Sequence, residues 1–139
     1  MKTSIVTYAG NLRTECLHEQ SQALVITDAP RDNQGKGEAF SPTDLLSTSL
    51  ASCMLTIMGI WAKRHDIALE GTRAEVLKTM ASDPRRVQGI AIDIHFPAAA
   101  AFWTTAQRTA LEHAARTCPV ALSLRAEIEQ QINFVYPNE

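Results

Sequence analysis

Apolar residues change their spacing along this chain, and each change marks a new element. Near the start, Ile5-Val6-Thr7-Tyr8 and Leu24-Val25-Ile26-Thr27 are short β-rich runs, and residues 12–18 between them alternate as an edge strand would. Together they predict a small meander. Residues 32–38, Asp32-Asn33-Gln34-Gly35-Lys36-Gly37-Glu38, are polar turn formers and predict a mobile loop. The pattern then becomes helical. Ser41-Pro42-Thr43-Asp44 is a helix start in which Ser41 caps, Pro42 takes the first helical position and the Asp44 carboxylate reaches back to free backbone donors. Residues 45–62 carry no charge, and Leu46, Leu50, Cys53, Met54, Ile57, Met58 and Trp61 recur at helical spacing. The other faces carry small residues, Ser47, Thr48, Ala51, Ser52, Thr56 and Gly59, so this helix is expected to be buried all round. Lys63, Arg64 and His65 close it with the cations a helix C-terminus favours.

Two longer β-like segments follow, residues 71–81 and 87–96, with Asp83-Pro84-Arg85 between them as a turn. They predict a hairpin. After Pro97 and an alanine run, residues 102–117 read as a second helix, with Trp103, Ala106, Ala110 and Ala114 on one face and Arg108, Glu112 and Arg116 elsewhere. A residue before proline is pushed away from helical dihedrals, so the helix breaks at Cys118-Pro119. Residues 119–124 can form a short new helix capped by Cys118, and Ile132-Asn133-Phe134-Val135-Tyr136 supplies a last strand. The whole is an α+β chain, read as a single domain over residues 1–139.

Composition narrows the function. A formal net charge of -2 provides no electrostatic footprint for nucleic acid or an anionic membrane surface. The uncharged helix approaches the roughly 18 residues of a membrane span, but its five serines and threonines and its glycine make it weakly hydrophobic, and a core helix is expected instead. The N-terminus, Met1-Lys2-Thr3-Ser4-Ile5-Val6-Thr7, lacks the apolar stretch and cleavage site of a signal peptide, so a cytoplasmic protein is expected. Three cysteines in that setting read as reactive or buried thiols and not as a disulfide framework.

Two of those cysteines differ in a way that redox chemistry can use. Cys118, at a helix start, is expected to feel backbone N–H groups that favour its thiolate. Cys53, mid-helix among apolar residues, is expected to be held neutral by burial unless a cation reaches it. Local electrostatics therefore ranks Cys118 first as a nucleophile, and a core role remains open for both. Weaker signals lead nowhere: Cys16-Leu17-His18 is half a zinc site without a second half. Gly35-Lys36-Gly37 lacks the Walker spacing and reads as a turn. Trp61 and Trp103 read as core residues.

Three segments give the chain a resemblance: Gly37-Glu38-Ala39-Phe40-Ser41-Pro42-Thr43-Asp44-Leu45-Leu46, then Leu50-Ala51-Ser52-Cys53, then Arg116-Thr117-Cys118-Pro119-Val120-Ala121-Leu122-Ser123-Leu124. It resembles the OsmC/Ohr superfamily of thiol peroxidases, in which a Ser-Pro or Asn-Pro helix start leads to a cysteine in a long central helix. A second cysteine follows there in a Cys-Pro-Val-x-x-Ser-Leu segment, and the element order matches over nearly the whole chain. The resemblance implies an OsmC-like α+β fold with antiparallel sheets around the long central helix, in an intertwined homodimer. It implies that Cys53 attacks a hydroperoxide, becomes a sulfenic acid and forms a disulfide with Cys118. A dithiol, lipoyl-type or other, would restore both thiols without metal or flavin.

The activating cation carried over from the family is Arg13, whose guanidinium stays charged and offers several donors. Its local alternative is a solvent-facing arginine on an edge strand. One departure stands out. The organic-hydroperoxide branch clamps that arginine with a glutamate ten positions before the attacking cysteine, and here that position is Thr43. Asp44, otherwise a helix cap, and Glu38, otherwise a loop charge, are the nearest candidate carboxylates. The rival readings are a non-catalytic member that binds a hydrophobic small molecule and a thiol redox sensor that oxidises but turns over slowly.

Overall fold

The computed structural model describes residues 1–137, and the chain forms two compact units, Met1–Leu46 and the part from Ser47 onwards. In the first unit, β1 (Ser4–Gly10), β2 (Arg13–His18) and β3 (Leu24–Asp28) form an antiparallel meander in the order β1-β2-β3. The meander is as expected, but β2 is its central strand and not an edge. Alternation reports which face of a strand is covered, not whether both edges are paired, so the pattern could not distinguish the two. The β1–β2 connection is tight: Gly10, Asn11 and Leu12 all have positive φ, at 88°, 53° and 63°. Leu12 tolerates this left-handed conformation with its N–H donating to the Tyr8 hydroxyl (3.3 Å) and its carbonyl accepting from Ala29 N–H (3.1 Å).

The meander buries little. Its buried residues, with the adjoining segment, are the polar Thr27, Asp28 and Ser41, while Ile5, Val6, Tyr8, Leu24, Val25 and Ile26 remain exposed. Three short strands without a covered apolar face are marginal in water.

The long helix α1 (Pro42–Arg64) starts where the sequence places it. Ser41 Oγ accepts from Asp44 N–H (3.1 Å) and Asp44 Oδ2 accepts from Ser41 N–H (3.0 Å), a reciprocal cap with aspartate in the usual glutamate position. From Ser47 on it belongs to the second unit. There its buried positions are Ser47, Leu50, Ala51, Met54, Met58 and Ala62, one stripe at helical spacing. Ser52, Thr56 and Ile60 are exposed, so its own chain covers only part of the helix expected to be buried all round. A helix that is small or apolar on every side gives no pattern from which to tell the faces covered by its own chain from the others. By length and composition α1 could cross a membrane; here Leu50, Met54 and Met58 have no exposed surface and sit in an apolar core.

The second sheet has the order β4-β5-β6. β4 (Arg73–Ala81) and β5 (Arg86–His95) form the expected antiparallel hairpin. β6 (Glu129–Val135) pairs parallel to β5, so the α+β class holds with one pairing that departs from the antiparallel expectation. A parallel pairing needs a crossover, and the chain supplies it with a 3-10 turn (Ala98–Phe102), α2 (Thr105–Arg116) and α3 (Pro119–Ser123). Alternate β5 residues Ile90, Ile92 and Ile94 join the α1 stripe, Leu111 and Ala115 of α2, and Cys118 in one apolar cluster.

Helix α2 begins later than residue 102. Thr104 and Gln107 make a capping box (Gln107 N–H to Thr104 Oγ1 3.1 Å, Thr104 N–H to Gln107 Oε1 2.9 Å), a Thr-x-x-Gln signal that the alanine run masked. The buried face changes with it: Leu111 and Ala115 are buried, Ala110 and Ala114 half-buried and Ala106 exposed. Trp103 lies before the helix, edge-on to Phe96 with ring centroids 5.2 Å apart.

Ile92, with no exposed surface at the centre of β5, tests this core. Ile92→Ala is expected to destabilise the fold by about 2–5 kcal/mol, read as a lower urea midpoint at unchanged slope.

Candidate active site

The sequence-derived site residues fall into two clusters, one in each unit. In the first, Arg13 opens β2 directly opposite Asp28 at the end of β3. Its guanidinium Nη2 donates to Glu38 Oε2 at 2.7 Å and lies 3.5 Å from Asp28 Oδ2. Glu38, first through its hydrogen bond and then through its charge, raises the guanidinium pKa above its usual value; partial burial opposes this, and Asp28 adds a smaller push upwards. Arg13 therefore remains a cation throughout the working range.

The loop that carries Glu38 is folded back by its glycines. A Cβ on Gly35 would collide with the Ala29 carbonyl oxygen, so only glycine fits that close approach. Gly35 N–H donates to the Pro30 carbonyl (3.0 Å) and Gly37 N–H to that of Ala29 (3.2 Å). The Gly35-Lys36-Gly37 segment is thus a turn, as its spacing indicated. It delivers Glu38, whose own N–H donates to Asp28 Oδ2 at 2.9 Å. Of the two candidate carboxylates, Glu38 pairs with Arg13, and Asp44 makes the helix cap described above. Thr43 lies at the cap too, with Oγ1 3.3 Å from Ser41 Oγ.

Asp28 is the residue that sequence reasoning missed. It closes an apolar strand, so it passes for a turn residue. Its signal is a register: once β2 and β3 pair across their short connection, Asp28 falls opposite Arg13 as a cross-strand pair of opposite charge.

The second cluster is the cysteine pair. Cys118 has no exposed surface, Cys53 is half-buried on α1 beside the core stripe, and both are free thiols. Burial pushes the Cys118 thiol pKa above its usual value of 9.0; the N–H groups of Ala121 and Val120 pull it down, and the neighbouring Cys53 thiol pushes it up, as a hydrogen-bond partner and as a like charge. The expectation of a thiolate-favouring Cys118 is therefore corrected. The helix-start effect is present in the Ala121 and Val120 donors, but α3 is only 5 residues long and desolvation outweighs it. The fold has made neighbours of two cysteines far apart in sequence.

Cys16 lies elsewhere, half-buried on β2 with its sulfur 3.7 Å from Thr14 Oγ1. Trp61 stacks on His65 at 3.9 Å between ring centroids. Among the described residues no group of three or more His, Cys, Asp or Glu side chains is placed to hold a metal ion.

A family model described as OsmC-like protein matches residues 35–133. No curated protein matches the chain. Among solved structures, a protein from Psychrobacter arcticus 273-4, provisionally described as an osmotic stress induced and detoxification response protein, is 54% identical with a TM-score of 0.91, covering 96% of each chain. An organic hydroperoxide resistance protein OsmC from Legionella pneumophila is 19% identical (TM-score 0.73, 97% of this chain and 98% of that one). One from Elizabethkingia anophelis is 14% identical (TM-score 0.73, 98% and 97%). At those lower identities the likeness is one of fold.

The raised Cys118 pKa has a consequence for stability. A thiol that holds its proton more firmly when folded contributes stability in full below its unfolded pKa and loses it as pH rises through the folded value. Unfolding free energy from urea titrations should therefore fall more steeply between about pH 8 and pH 10 in the wild type than in Cys118→Ala. Parallel pH profiles would show that Cys118 is not held neutral.

Proposed function

The chain belongs to the OsmC-like family, and from that premise we propose that it is a thiol-dependent hydroperoxide reductase with Cys53 as attacking thiolate, Cys118 as resolving thiol and Arg13 as activating cation. The observation that carries the reading is the Cys53–Cys118 neighbourhood inside an apolar core. A lone buried cysteine reads as packing; two free thiols that share one core and act on each other electrostatically have a reaction open to them.

The cycle balances with a peroxide and a dithiol. Cys53 S⁻ attacks one peroxide oxygen, the O–O bond breaks, and the departing alkoxide takes a proton to become an alcohol. Cys53 is now a sulfenic acid. The Cys118 sulfur attacks it, water leaves and a disulfide forms. An external dithiol then reduces that disulfide through a mixed disulfide and is itself oxidised, so no metal or flavin takes part. A Cys118 that holds its proton suits the second role: it does not compete as a nucleophile in the resting state, and its S–H can donate to a Cys53 thiolate. Arg13, charged throughout, is the group proposed to hold that thiolate and polarise the peroxide oxygen.

The proposed assembly is a homodimer. Two observations support it: the exposed apolar residues of the meander and the outward side of α1. Beside α1 runs an open groove of about 460 Å3, lined by Thr48, Ser52, Leu55 and Thr56 of the helix and by Ala74 and Val76 of β4. The small groove residues allow another backbone to approach closely, and a two-fold axis would bury the same surface twice. The proposed setting is the cytoplasm, as part of a response to oxidative stress.

A peroxidase assay tests the reading, with hydrogen peroxide and an organic hydroperoxide as oxidants and dithiothreitol, dihydrolipoamide or a monothiol as reductant. Cys53→Ser should lower kcat/KM at least about 100-fold, the scale of losing a nucleophile, and Arg13→Ala roughly 100-fold. Cys118→Ser should still form a trappable sulfenic acid but lose dithiol-driven turnover. Mass spectrometry of oxidised wild type should show a Cys53–Cys118 disulfide. Full activity in Cys53→Ser would end the enzyme reading, and stoichiometric disulfide without sustained turnover would make the protein a sensor.

A further inference from the structure

We infer that Asp28 is the positioning residue for Arg13, a buried carboxylate that holds the guanidinium and the Glu38 loop in one arrangement; this rests on the catalytic reading of Arg13 given above. Asp28 is 1% exposed, at the end of a strand and paired in register with Arg13. Its Oδ2 serves two partners, the Arg13 guanidinium at 3.5 Å and the Glu38 N–H at 2.9 Å. Its own N–H donates to the Phe40 carbonyl at 3.0 Å. One side chain thus ties β2 to the chain that leads into α1.

The other carboxylate oxygen is the second observation. Asp28 Oδ1 is buried and finds no hydrogen-bond partner among the described residues. A buried carboxylate with an unpaired oxygen is costly and is tolerated where a cation compensates it. Arg13 is that cation. The free Oδ1 is also the acceptor that a second guanidinium N–H would take, because arginine and carboxylate can meet as two forks.

Glu38 makes the shorter contact with Arg13 and supplies most of its charge stabilisation. It is, however, a loop residue whose side chain is 56% exposed, and exposed ion pairs are weak and screened by salt. Asp28 sits on a strand, desolvated and fixed at its backbone. The two carboxylates therefore divide the work: Glu38 balances the charge, and Asp28 sets where the charge is held. This chain has Thr43, and no carboxylate, ten positions before Cys53.

The test is a double-mutant cycle with a labelling arm. In the wild-type background Asp28→Asn should lower turnover about tenfold, the scale of a misplaced catalytic group, whereas in the Arg13→Ala background it should change turnover by less than about twofold. Glu38→Gln should cost less than Asp28→Asn and lose its effect at high salt. In parallel, phenylglyoxal modification of Arg13, followed by peptide mass spectrometry against Arg31 and Arg125 in the same protein, should be accelerated severalfold by Asp28→Asn. If Asp28→Asn does not fold by circular dichroism, Asp28→Glu takes its place; it keeps the charge, and its longer side chain displaces the guanidinium. An equal loss in both backgrounds, or no change in Arg13 labelling, overturns the inference. A wild type without cysteine-dependent turnover overturns the peroxidase reading instead, and the labelling arm still decides whether Asp28 holds Arg13.

Discussion

Desolvation of one stripe of α1 is the constraint on which the second unit depends. Leu50, Met54 and Met58 lose all contact with water against Ile90, Ile92 and Ile94 and against the inward face of α2. Each such side chain contributes about 1.5–3 kcal/mol by burial. Cys53 stands immediately before Met54, so the rotation that seats the stripe also sets the direction of its thiol. The same core takes in Cys118 at the start of α3. The placing of the two thiols is here a by-product of packing: the helix cannot turn to free one cysteine without exposing its methionines.

Burial also decides the electrostatics. A helix start and an apolar core act on Cys118 in opposite directions, and the core prevails. The first unit shows the complementary case. Its buried side chains are polar, and charge pairing takes the place of an apolar core: Asp28 is desolvated beside Arg13, and the Glu38 loop folds over Ala29 through Gly35, which admits no Cβ. Asp28 is desolvated while the Arg13 side chain is 34% exposed, so water competes less for this carboxylate than for the 56% exposed Glu38.

Much of the framework was legible in the sequence because its signals are local. The Ser41-Pro42 start of α1, the hairpin around Asp83-Pro84, the break at Cys118-Pro119 and the turn at Gly35-Lys36-Gly37 are each written in a few adjacent residues. Errors arose where local signals competed or were silent. The alanine run concealed the Thr104 cap, an alternating strand was taken for an edge, and a uniformly small and apolar helix hid which of its faces its own chain covers. Glu38 was named with Asp44 as a candidate partner for Arg13; Asp28 was not, because its importance lies in the residue opposite it.

The sequence by itself determined the α+β class, the order of elements, the family resemblance and the identities of the two cysteines, the arginine and its nearby carboxylates. These follow from periodicity, capping and turn chemistry, which act over a few residues. Only the tertiary structure decided that Cys53 and Cys118 are neighbours, that Cys118 holds its proton, that Glu38 rather than Asp44 meets Arg13, and that Asp28 lies buried beside it. Those outcomes depend on register and desolvation, which belong to residues distant in the chain and exist only once the elements have packed.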